Sequence, residues 1–378
     1  MTLVVKYLAG IKELIRSYPK GGKFTLVSGN QSADLDSVIS AISYAFLASQ
    51  HEEFGKKSSY IPLVNIPRDD LTLRRDIEFV LKRANIEPKK LIFTDDIDEK
   101  FMSNYSIDIV LLDHNNPQGP VLKELISNRG CTVTAIIDHH ADEGLFLNAN
   151  PRVVKTCGSC SSLVLNYWRT QFSSDLVQEL FHELKGLITA PILVDTANLT
   201  HRVEDPDVAA IDFIKTLGLE GAILGNYFGE ISTAKSDVAG LSVRDILRKD
   251  YKEYEIGTKS LGNVRVGISS AVKPFTWFVR EYGSEELAKG VDSWRKERCL
   301  QIHMTMSSFV DETDAFHREL EFFSHDEDLV GKLKSALTEK FDLKPFKKEQ
   351  LLDVYSQLDL TASRKQVAPA VQEILEAL

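Results

Sequence analysis

The chain has little cysteine. Its 378 residues include four, Cys131, Cys157, Cys160 and Cys299, and their spacing is not that of an extracellular disulfide framework. Cys157 and Cys160 have the spacing of a redox or zinc pair, but no second Cys or His pair at zinc-finger spacing accompanies them. These observations argue against a disulfide-stabilised secreted domain and a zinc finger, and we expect a reducing, cytoplasmic setting.

Long apolar runs are also missing. No stretch approaches the roughly 20 consecutive apolar residues that a membrane-spanning helix needs. No apolar signal core follows Met1. We therefore expect a soluble protein without a membrane partner.

The chain has fewer positively charged than negatively charged residues. Lys and Arg number 45 against 55 Asp and Glu, which gives a net charge of −10 and a pI near 5.5. Non-specific nucleic-acid binding depends on clustered Lys and Arg that displace counterions from the phosphates. The balance therefore argues against nucleic acid as a partner, and any polyanionic ligand must meet a local basic patch.

The length allows two domains, each with a core of its own. In the first part of the chain, apolar runs typical of buried strands alternate with segments at helical spacing. This alternation predicts a doubly wound α/β domain with a mainly parallel sheet over residues 1–220. The predicted strands are 24–28, 60–66, 91–94, 107–112, 134–137 and 192–194, and the predicted helices include 3–18, 38–47 and 205–217.

The pattern changes after a glycine-punctuated stretch, residues 221–240, which we predict to be a linker. Two strand pairs, 254–260 with 264–270 and 301–309 with 318–323, are predicted to form hairpins. Helical spacing recurs near 276–298, 326–340 and 365–377. We predict a smaller α+β domain over residues 241–378.

Short polar clusters follow four of the predicted strands. A single Asp after a strand is more often a helix cap or turn residue than a ligand. The carboxyl ends of parallel strands meet at one edge of a sheet, however, and four such clusters there predict a metal site. The candidate residues are Asn30, Asp34 and Asp36 after the first strand, Asp113 after the fourth, Asp138, His139 and His140 after the fifth, and Asp195 after the last.

The types of these side chains indicate the metal. Hard oxygen donors with one or two imidazoles suit Mn²⁺ or Mg²⁺ better than zinc. Asp34 and Asp36 can bind different cations, and Asp113 can bridge both. We expect two divalent ions, Mn²⁺ by preference and Mg²⁺ or Co²⁺ as alternatives, that activate a water for attack on phosphorus.

The clusters resemble the motifs of the DHH phosphoesterase superfamily. The matching residues are Asn30-x-x-x-Asp34-x-Asp36-Ser37, Asp113-His114-Asn115 and Asp138-His139-His140. In the second half, Asp250-Tyr251-Lys252 resembles the D-x-K signature of the DHHA2 accessory domain, and Ser363-Arg364-Lys365 resembles its S-R-K motif. The similarity spans nearly the whole chain and is strongest to the fungal, yeast-type exopolyphosphatases.

The resemblance implies a set of ligands and an active site in the cleft between the two domains. One metal ion would be bound by Asn30, Asp34 and Asp113, and the other by Asp36, Asp113, His139 and Asp195. Family II pyrophosphatases carry His at the position of Asn30. A neutral amide is a weaker ligand than imidazole, so we expect the first site to be looser and more tolerant of Mg²⁺.

The resemblance also implies which residues meet the substrate. His140 would face the phosphate, and Lys252, Arg364 and Lys365 would grip the chain and supply positive charge. Solvation at the surface is the alternative for Arg364 and Lys365. The remaining candidate substrate contacts are Arg68, Lys273 and Ser161, and helix capping competes equally with anion binding for Ser161.

These observations lead to an exopolyphosphatase, a monomer that releases orthophosphate from the end of inorganic polyphosphate. A family II-type inorganic pyrophosphatase is an alternative that Asn30 and the basic accessory half disfavour. A prune-like short-chain polyphosphatase or regulatory binding protein is disfavoured by the intact Asp138-His139-His140. A cyclic or oligonucleotide phosphodiesterase is disfavoured because the sequence lacks a G-G-G-H segment.

Overall fold

A computed structural model describes residues 2–313, 315–346 and 353–378 of the chain. The chain divides between Asp237 and Val238 into two compact units. In the described ranges, we find no helix with both the length and the apolar character that crossing a membrane requires.

The first unit is built on a parallel sheet of six strands in the order β3-β2-β1-β4-β5-β6. Its central strands are buried along almost their whole length, as expected for a parallel sheet covered on both faces. The strand order reverses between β1 and β4, which makes this the topological switch point. The strands are β1 (Lys23–Ser28), β2 (Ser59–Val64), β3 (Ile92–Phe93), β4 (Ser106–Leu112), β5 (Thr132–Asp138) and β6 (Arg152–Val154).

Helices surround this sheet and complete the α/β architecture predicted from the sequence. The second of them, α2, is buried along nearly its whole length because it packs against β2 and against two later helices, α7 and α8. The helices of this unit are α1 (Leu3–Ser17), α2 (Leu35–Gln50), α3 (Glu52–Lys57), α4 (Arg75–Arg83), α5 (Glu99–Asn104), α6 (Pro120–Lys123), α7 (Cys160–Trp168), α8 (Ser174–Asp195), α9 (Asp205–Thr216) and α10 (Ala222–Ser236).

Two predicted elements differ in the structure. The strand predicted at 192–194 is the last turn of α8, whose buried residues run from Val177 to Leu193. A short apolar run bounded by polar residues does not distinguish a buried strand from the end of a buried helix. The segment predicted as a linker, 221–240, contains α10, which places Tyr227 and Ile231 in the core of the first unit.

The second unit holds a mixed sheet in the order β11-β12-β10-β9-β8-β7. Both predicted hairpins are present as antiparallel pairs, β7 with β8 and β9 with β10, whereas β8 and β9 are parallel. The strands are β7 (Tyr251–Gly257), β8 (Asn263–Ala271), β9 (Ile302–Val310), β10 (Phe316–Phe323), β11 (Leu343–Pro345) and β12 (Val354–Gln357). The helices are α11 (Val243–Lys249), α12 (Phe275–Tyr282), α13 (Ser284–Glu297), α14 (Glu327–Phe341) and α15 (Arg364–Ala377).

The two faces of this second sheet have opposite character. One face is apolar and forms a core with residues of α14 and α15 such as Leu333 and Val371. The other face carries buried polar side chains. Ser269 on this face bonds the Leu247 carbonyl of α11 at 2.7 Å, and Glu319 accepts from the Phe275 amide of α12 at 2.7 Å. The remaining buried polar residues of this face include His303, Thr305, Ser307 and Glu321.

Candidate metal centre

The polar clusters of the first unit meet at the carboxyl ends of β1, β4 and β5, at the switch point of the sheet. The loop after β1 leads into α2, where Asp34 is the N-cap and accepts from the Ser37 amide at 3.0 Å. Gly29 opens this loop, and a Cβ at this residue would lie 2.5 Å from that of Ser37. Only glycine fits this close approach between the loop and the first turn of α2.

Asp113 is at the centre of the cluster. It is buried and has a left-handed backbone, with φ of 63°. Its Oδ2 accepts from Asn30 Nδ2 at 2.8 Å and from Ser37 Oγ at 2.6 Å. Its Oδ1 lies 3.1 Å from His139 Nε2 and 3.7 Å from His140 Nδ1. A left-handed non-glycine residue costs about 1–3 kcal/mol and is found where a site constrains the backbone.

The contacts of Asn30 give it a structural role beside the predicted one as a ligand. Its amide nitrogen donates to Asp113, and its Oδ1 accepts from the Ser32 amide at 2.8 Å. The side chain thus holds Asp113 and the loop in place, and one lone pair of Oδ1 remains for a cation.

His139 has the arrangement of a metal-binding histidine. Its Nδ1 lies 3.0 Å from the carbonyl oxygen of Cys157. Because a carbonyl only accepts, Nδ1 carries a proton here, and Nε2 is the ring nitrogen that faces Asp113 Oδ1. Histidines that bind metals are oriented in this way by a carbonyl or carboxylate on the second nitrogen.

His140 is held by the residue that begins its motif. Its Nδ1 lies 2.8 Å from Asp138 Oδ1, and its backbone amide donates to the same oxygen at 3.1 Å. Asp138 is fully buried, and Asn115 Nδ2 donates to its Oδ2 at 2.5 Å. The His140 side chain is 56% exposed. Asp138 therefore orients His140, and the second ring nitrogen of His140 remains available to a ligand.

Asp36 is buried beneath the first turn of α7. Its Oδ1 accepts from the hydroxyls of Ser40, Ser159 and Ser161 and from the Ser161 amide. Its Oδ2 accepts one bond, from the Cys160 amide at 2.6 Å, so a lone pair remains there for a cation. Ser161 is fully buried and holds Asp36 through these contacts. It is therefore not open to a substrate, contrary to the prediction.

The carboxylates of the cluster repel one another in a buried setting. Burial, reinforced by the neighbouring carboxylates, raises the pKa of Asp195 and raises that of Asp113 to about 7. For His139, burial opposes the charged form, but the contacts with Asp113 and the Cys157 carbonyl outweigh it and raise the pKa to about 12. A cluster of mutually repelling carboxylates with one imidazole is a set of mainly hard oxygen donors, and it fits divalent cations of the Mn²⁺ or Mg²⁺ type.

In the second unit, the two predicted substrate motifs meet. Arg364, at the start of α15, donates through one NH₂ group to Asp250 Oδ1 at 2.6 Å and through the other to the Asp250 carbonyl at 3.0 Å. Ser363 caps the same helix by accepting from the Lys365 amide at 3.3 Å. Lys252 and Lys365 are exposed. The arrangement gives this face a fixed guanidinium flanked by lysines.

The other two predicted substrate contacts, Arg68 and Lys273, are half-buried. Arg68 forms an ion pair with Asp96, and its guanidinium lies 4.4 Å from the centroid of the Phe93 ring. These contacts hold the turns around β3. Lys273 is half-buried between β8 and α12, and its carbonyl accepts from the Ser307 hydroxyl.

Sequence reasoning assigned no role to several residues that hold the site together. Asn65 donates to the carbonyls of Gly29 and Gln118, both at 3.1 Å, and so ties together the loops after β1 and β4. Asp207 is buried against the turn that precedes α7. These bonds join residues far apart in the sequence, and no local pattern indicates them.

Two family models match the chain. The DHH family, N-terminal domain, matches residues 25–197, and the DHHA2 domain matches residues 229–374. The chain belongs to the DHH family and carries a DHHA2 accessory domain.

The relatives point to one class of chemistry. The chain is 30% identical over 364 residues to a Schizosaccharomyces pombe protein named "Putative exopolyphosphatase", covering 93% of this chain and 90% of that protein. It is 26% identical over 250 residues to the "Manganese-dependent inorganic pyrophosphatase" of Methanothrix thermoacetophila, covering 64% of this chain and 69% of that protein.

A solved structure has the same fold. It is the crystal structure of a Methanococcus jannaschii "putative family II inorganic pyrophosphatase", with a TM-score of 0.56 and 17% identity over 93% of this chain and 99% of that one.

Proposed function

We propose that this protein is an exopolyphosphatase, a metal-dependent phosphoanhydride hydrolase that removes orthophosphate from the end of inorganic polyphosphate. The observation that carries the proposal is the cluster of Asp113, His139 and His140, whose ligand atoms lie within 4.8 Å of one another at the switch point of the sheet. The membership of the DHH family and the name of the S. pombe relative support the reaction class and the substrate.

The site is proposed to hold two divalent cations, with Mn²⁺ preferred. Asp113 has one oxygen toward His139 and the other toward Asn30, so it can contribute to both positions. Asn30 and Asp34 would join the first, and Asp36, His139 and Asp195 the second. When bound, such a pair of ions lowers the pKa of a water between them and polarises the phosphoryl oxygen. The name of the M. thermoacetophila relative supports manganese.

The remaining residues bind and orient the phosphate chain. His140 is exposed, and its hydrogen bond with Asp138 raises its pKa, which favours the protonated ring that can donate to a phosphate oxygen. In the second unit, the proposed contacts are Lys252, Arg364 and Lys365, of which Arg364 is fixed by Asp250. Positive charge there would offset the charge that builds on the phosphate during transfer.

Substitution of the shared ligand tests the metal assignment. Asp113→Asn is expected to lower phosphate release from polyphosphate by more than roughly 100-fold. Substitution of a residue that only supports a metal ligand costs up to about 100-fold, and substitution of the ligand itself should cost more. Mn²⁺ binding should weaken with it, while the circular dichroism spectrum stays that of the wild type. Retained activity in this variant would contradict the assignment.

Inorganic pyrophosphatase is the second candidate, because the M. thermoacetophila relative carries that name and the motifs are shared. The substrate separates the two activities, since only a pyrophosphatase turns over pyrophosphate as its main substrate. We also propose that the protein is a cytoplasmic monomer. Size-exclusion chromatography with light scattering tests the oligomeric state.

A further inference from the structure

The 157–162 turn, which comprises the residues leading into α7 and the first residues of that helix, contacts two of the proposed metal ligands at once. The carbonyl of Cys157 fixes the His139 ring, and Ser159, Cys160 and Ser161 supply hydrogen bonds to Asp36. A shift of this turn would displace both ligands together. The position of the turn is therefore a determinant of the second metal site.

A second buried carboxylate, Asp207, grips the same turn from the other side. Asp207 lies in the first turn of α9 and is fully buried. It accepts from the Gly158 amide at 2.7 Å, the Ser159 amide at 3.3 Å and the Ser162 hydroxyl at 2.6 Å. Its remaining bond comes from the amide of Glu204 at 3.0 Å, within its own helix start.

Close packing around Gly158 restricts the position of the 157–162 turn. A Cβ at Gly158 would lie 2.5 Å from Thr196 Cγ2, 2.8 Å from the Arg202 carbonyl oxygen and 3.1 Å from Asp207 Oδ2. Thr196 directly follows Asp195, a third proposed ligand of the same ion. Close packing on one side and the bonds from Asp207 on the other thus fix the turn in one position.

We propose that Asp207 is a positioning residue for the second metal ion, acting through the 157–162 turn on Asp36 and His139. This inference rests on the two-metal function proposed above. It distinguishes the two ions, because Asn30 and Asp34 of the first site make no contact with the turn in the hydrogen bonds of the described residues.

Asp207→Asn is the direct test. Both carboxylate oxygens of Asp207 face donors, so an amide of the same shape must direct its NH₂ group at donors on one side. Free Mn²⁺ measured by electron paramagnetic resonance during a titration gives the affinity of each site. We expect the dissociation constant of one ion to rise 10- to 100-fold and that of the other to stay unchanged.

Asp205→Asn is the matched control. Asp205 is exposed in the same first turn of α9, so its substitution removes the same charge at the same helix end. Both dissociation constants of this control should equal those of the wild type. Two wild-type affinities in Asp207→Asn would overturn the inference and leave the proposed function standing, whereas fewer than two ions on the wild type would count against the proposed function itself.

A nuclear magnetic resonance measurement on the metal-free protein tests the inference independently of metal binding. The Nδ1 proton of His139 bonds to the Cys157 carbonyl and should give a slowly exchanging resonance in the wild type that Asp207→Asn loses. Persistence of this resonance would contradict the proposal. If Asp207→Asn fails to fold, Ser162→Ala removes a single bond to Asp207 and should weaken the same site by a smaller factor; an unchanged affinity there would also overturn it.

Discussion

At the scale of the residue, the site depends on side chains that orient other side chains. Asp138 takes no predicted ligand role, yet it fixes the ring of His140, and the Cys157 carbonyl does the same for His139. Asn30 donates to Asp113 and holds it under the loop after β1. Hydrogen bonds to neighbouring residues thus hold the side chains of the proposed metal centre in place, which lowers the cost of organising the site.

The pH dependence of activity tests the role of Asp138. Although burial opposes the charge on Asp138, the hydrogen bonds from His140 and Asn115 lower its pKa, and the same contact raises the pKa of His140. If protonated His140 binds the phosphate, activity is present below the pKa of His140 and falls as pH rises through it. Asp138→Asn removes the charge that favours the imidazolium.

We therefore expect the alkaline limb of the pH profile of kcat/KM to move to lower pH in Asp138→Asn. The profile with polyphosphate at saturating Mn²⁺ measures this shift. His140→Gln serves as the control, because that limb should be absent from it. An alkaline limb at the wild-type position in both variants would assign the titration to another group.

At the scale of the element, β10 carries a buried acid, Glu321, on the polar face of its sheet. The Glu321 side chain is fully buried. Thr305 lies opposite it on β9. Burial raises the pKa of Glu321 to about 7. The carboxyl is thus neutral in the folded second unit over a range in which it is ionised in the unfolded chain.

This difference has a defined sign. Because the folded pKa is raised, the contribution of Glu321 to stability is complete below about pH 4.5 and is lost as pH rises through about 7. The shift corresponds to about 3 kcal/mol. Hydrogen exchange at β9 and β10 should show a fall of that order across this range in the wild type.

Glu321→Gln should remove this part of the pH dependence, because the amide does not ionise. The exposed Glu339→Gln is the matched control and should keep the wild-type dependence. Equal pH dependence in Glu321→Gln and the wild type would show that Glu321 is not the buried acid responsible.

The start of α15 is the element on which the proposed substrate grip depends. Arg364→Ala removes a guanidinium that Asp250 holds in place. A charge-assisted hydrogen bond contributes about 1.5–3 kcal/mol, so kcat/KM for polyphosphate should fall roughly 10- to 100-fold. Arg280→Ala, an exposed cation on α12 of the same unit, is the control. A similar loss in both variants would indicate a general effect of charge on the second unit.

At the scale of the whole molecule, the sequence predicts the parallel sheet and most of its polar edge. The central strands β1, β4 and β5 are recognisable from flush apolar runs, and their carboxyl ends must meet in a parallel sheet. Asp34, Asp113 and His139 follow from this rule. Asp195 comes to the cluster from the end of α8, where the continuous apolar run 192–194 was predicted to be a strand.

The supporting residues could not be predicted for a different reason. Asp207 and Gly158 are 49 residues apart, and Asn65 and Gly29 are 36 residues apart. A polar residue at a helix start or strand end has a local explanation as a cap or turn, and only the folded chain shows its partner. The same limit explains why Ser161 and Arg68 were expected at the substrate and are engaged by Asp36 and Asp96.

The most direct test of the central claim is the product distribution from metal-stripped protein supplied with Mn²⁺. Long-chain polyphosphate, tripolyphosphate and pyrophosphate are offered separately, and products are resolved by gel electrophoresis and phosphate assay. The account predicts orthophosphate release with stepwise shortening of the polymer, and none without a divalent ion. Turnover of pyrophosphate alone, or no hydrolysis of any of the three substrates, would contradict it.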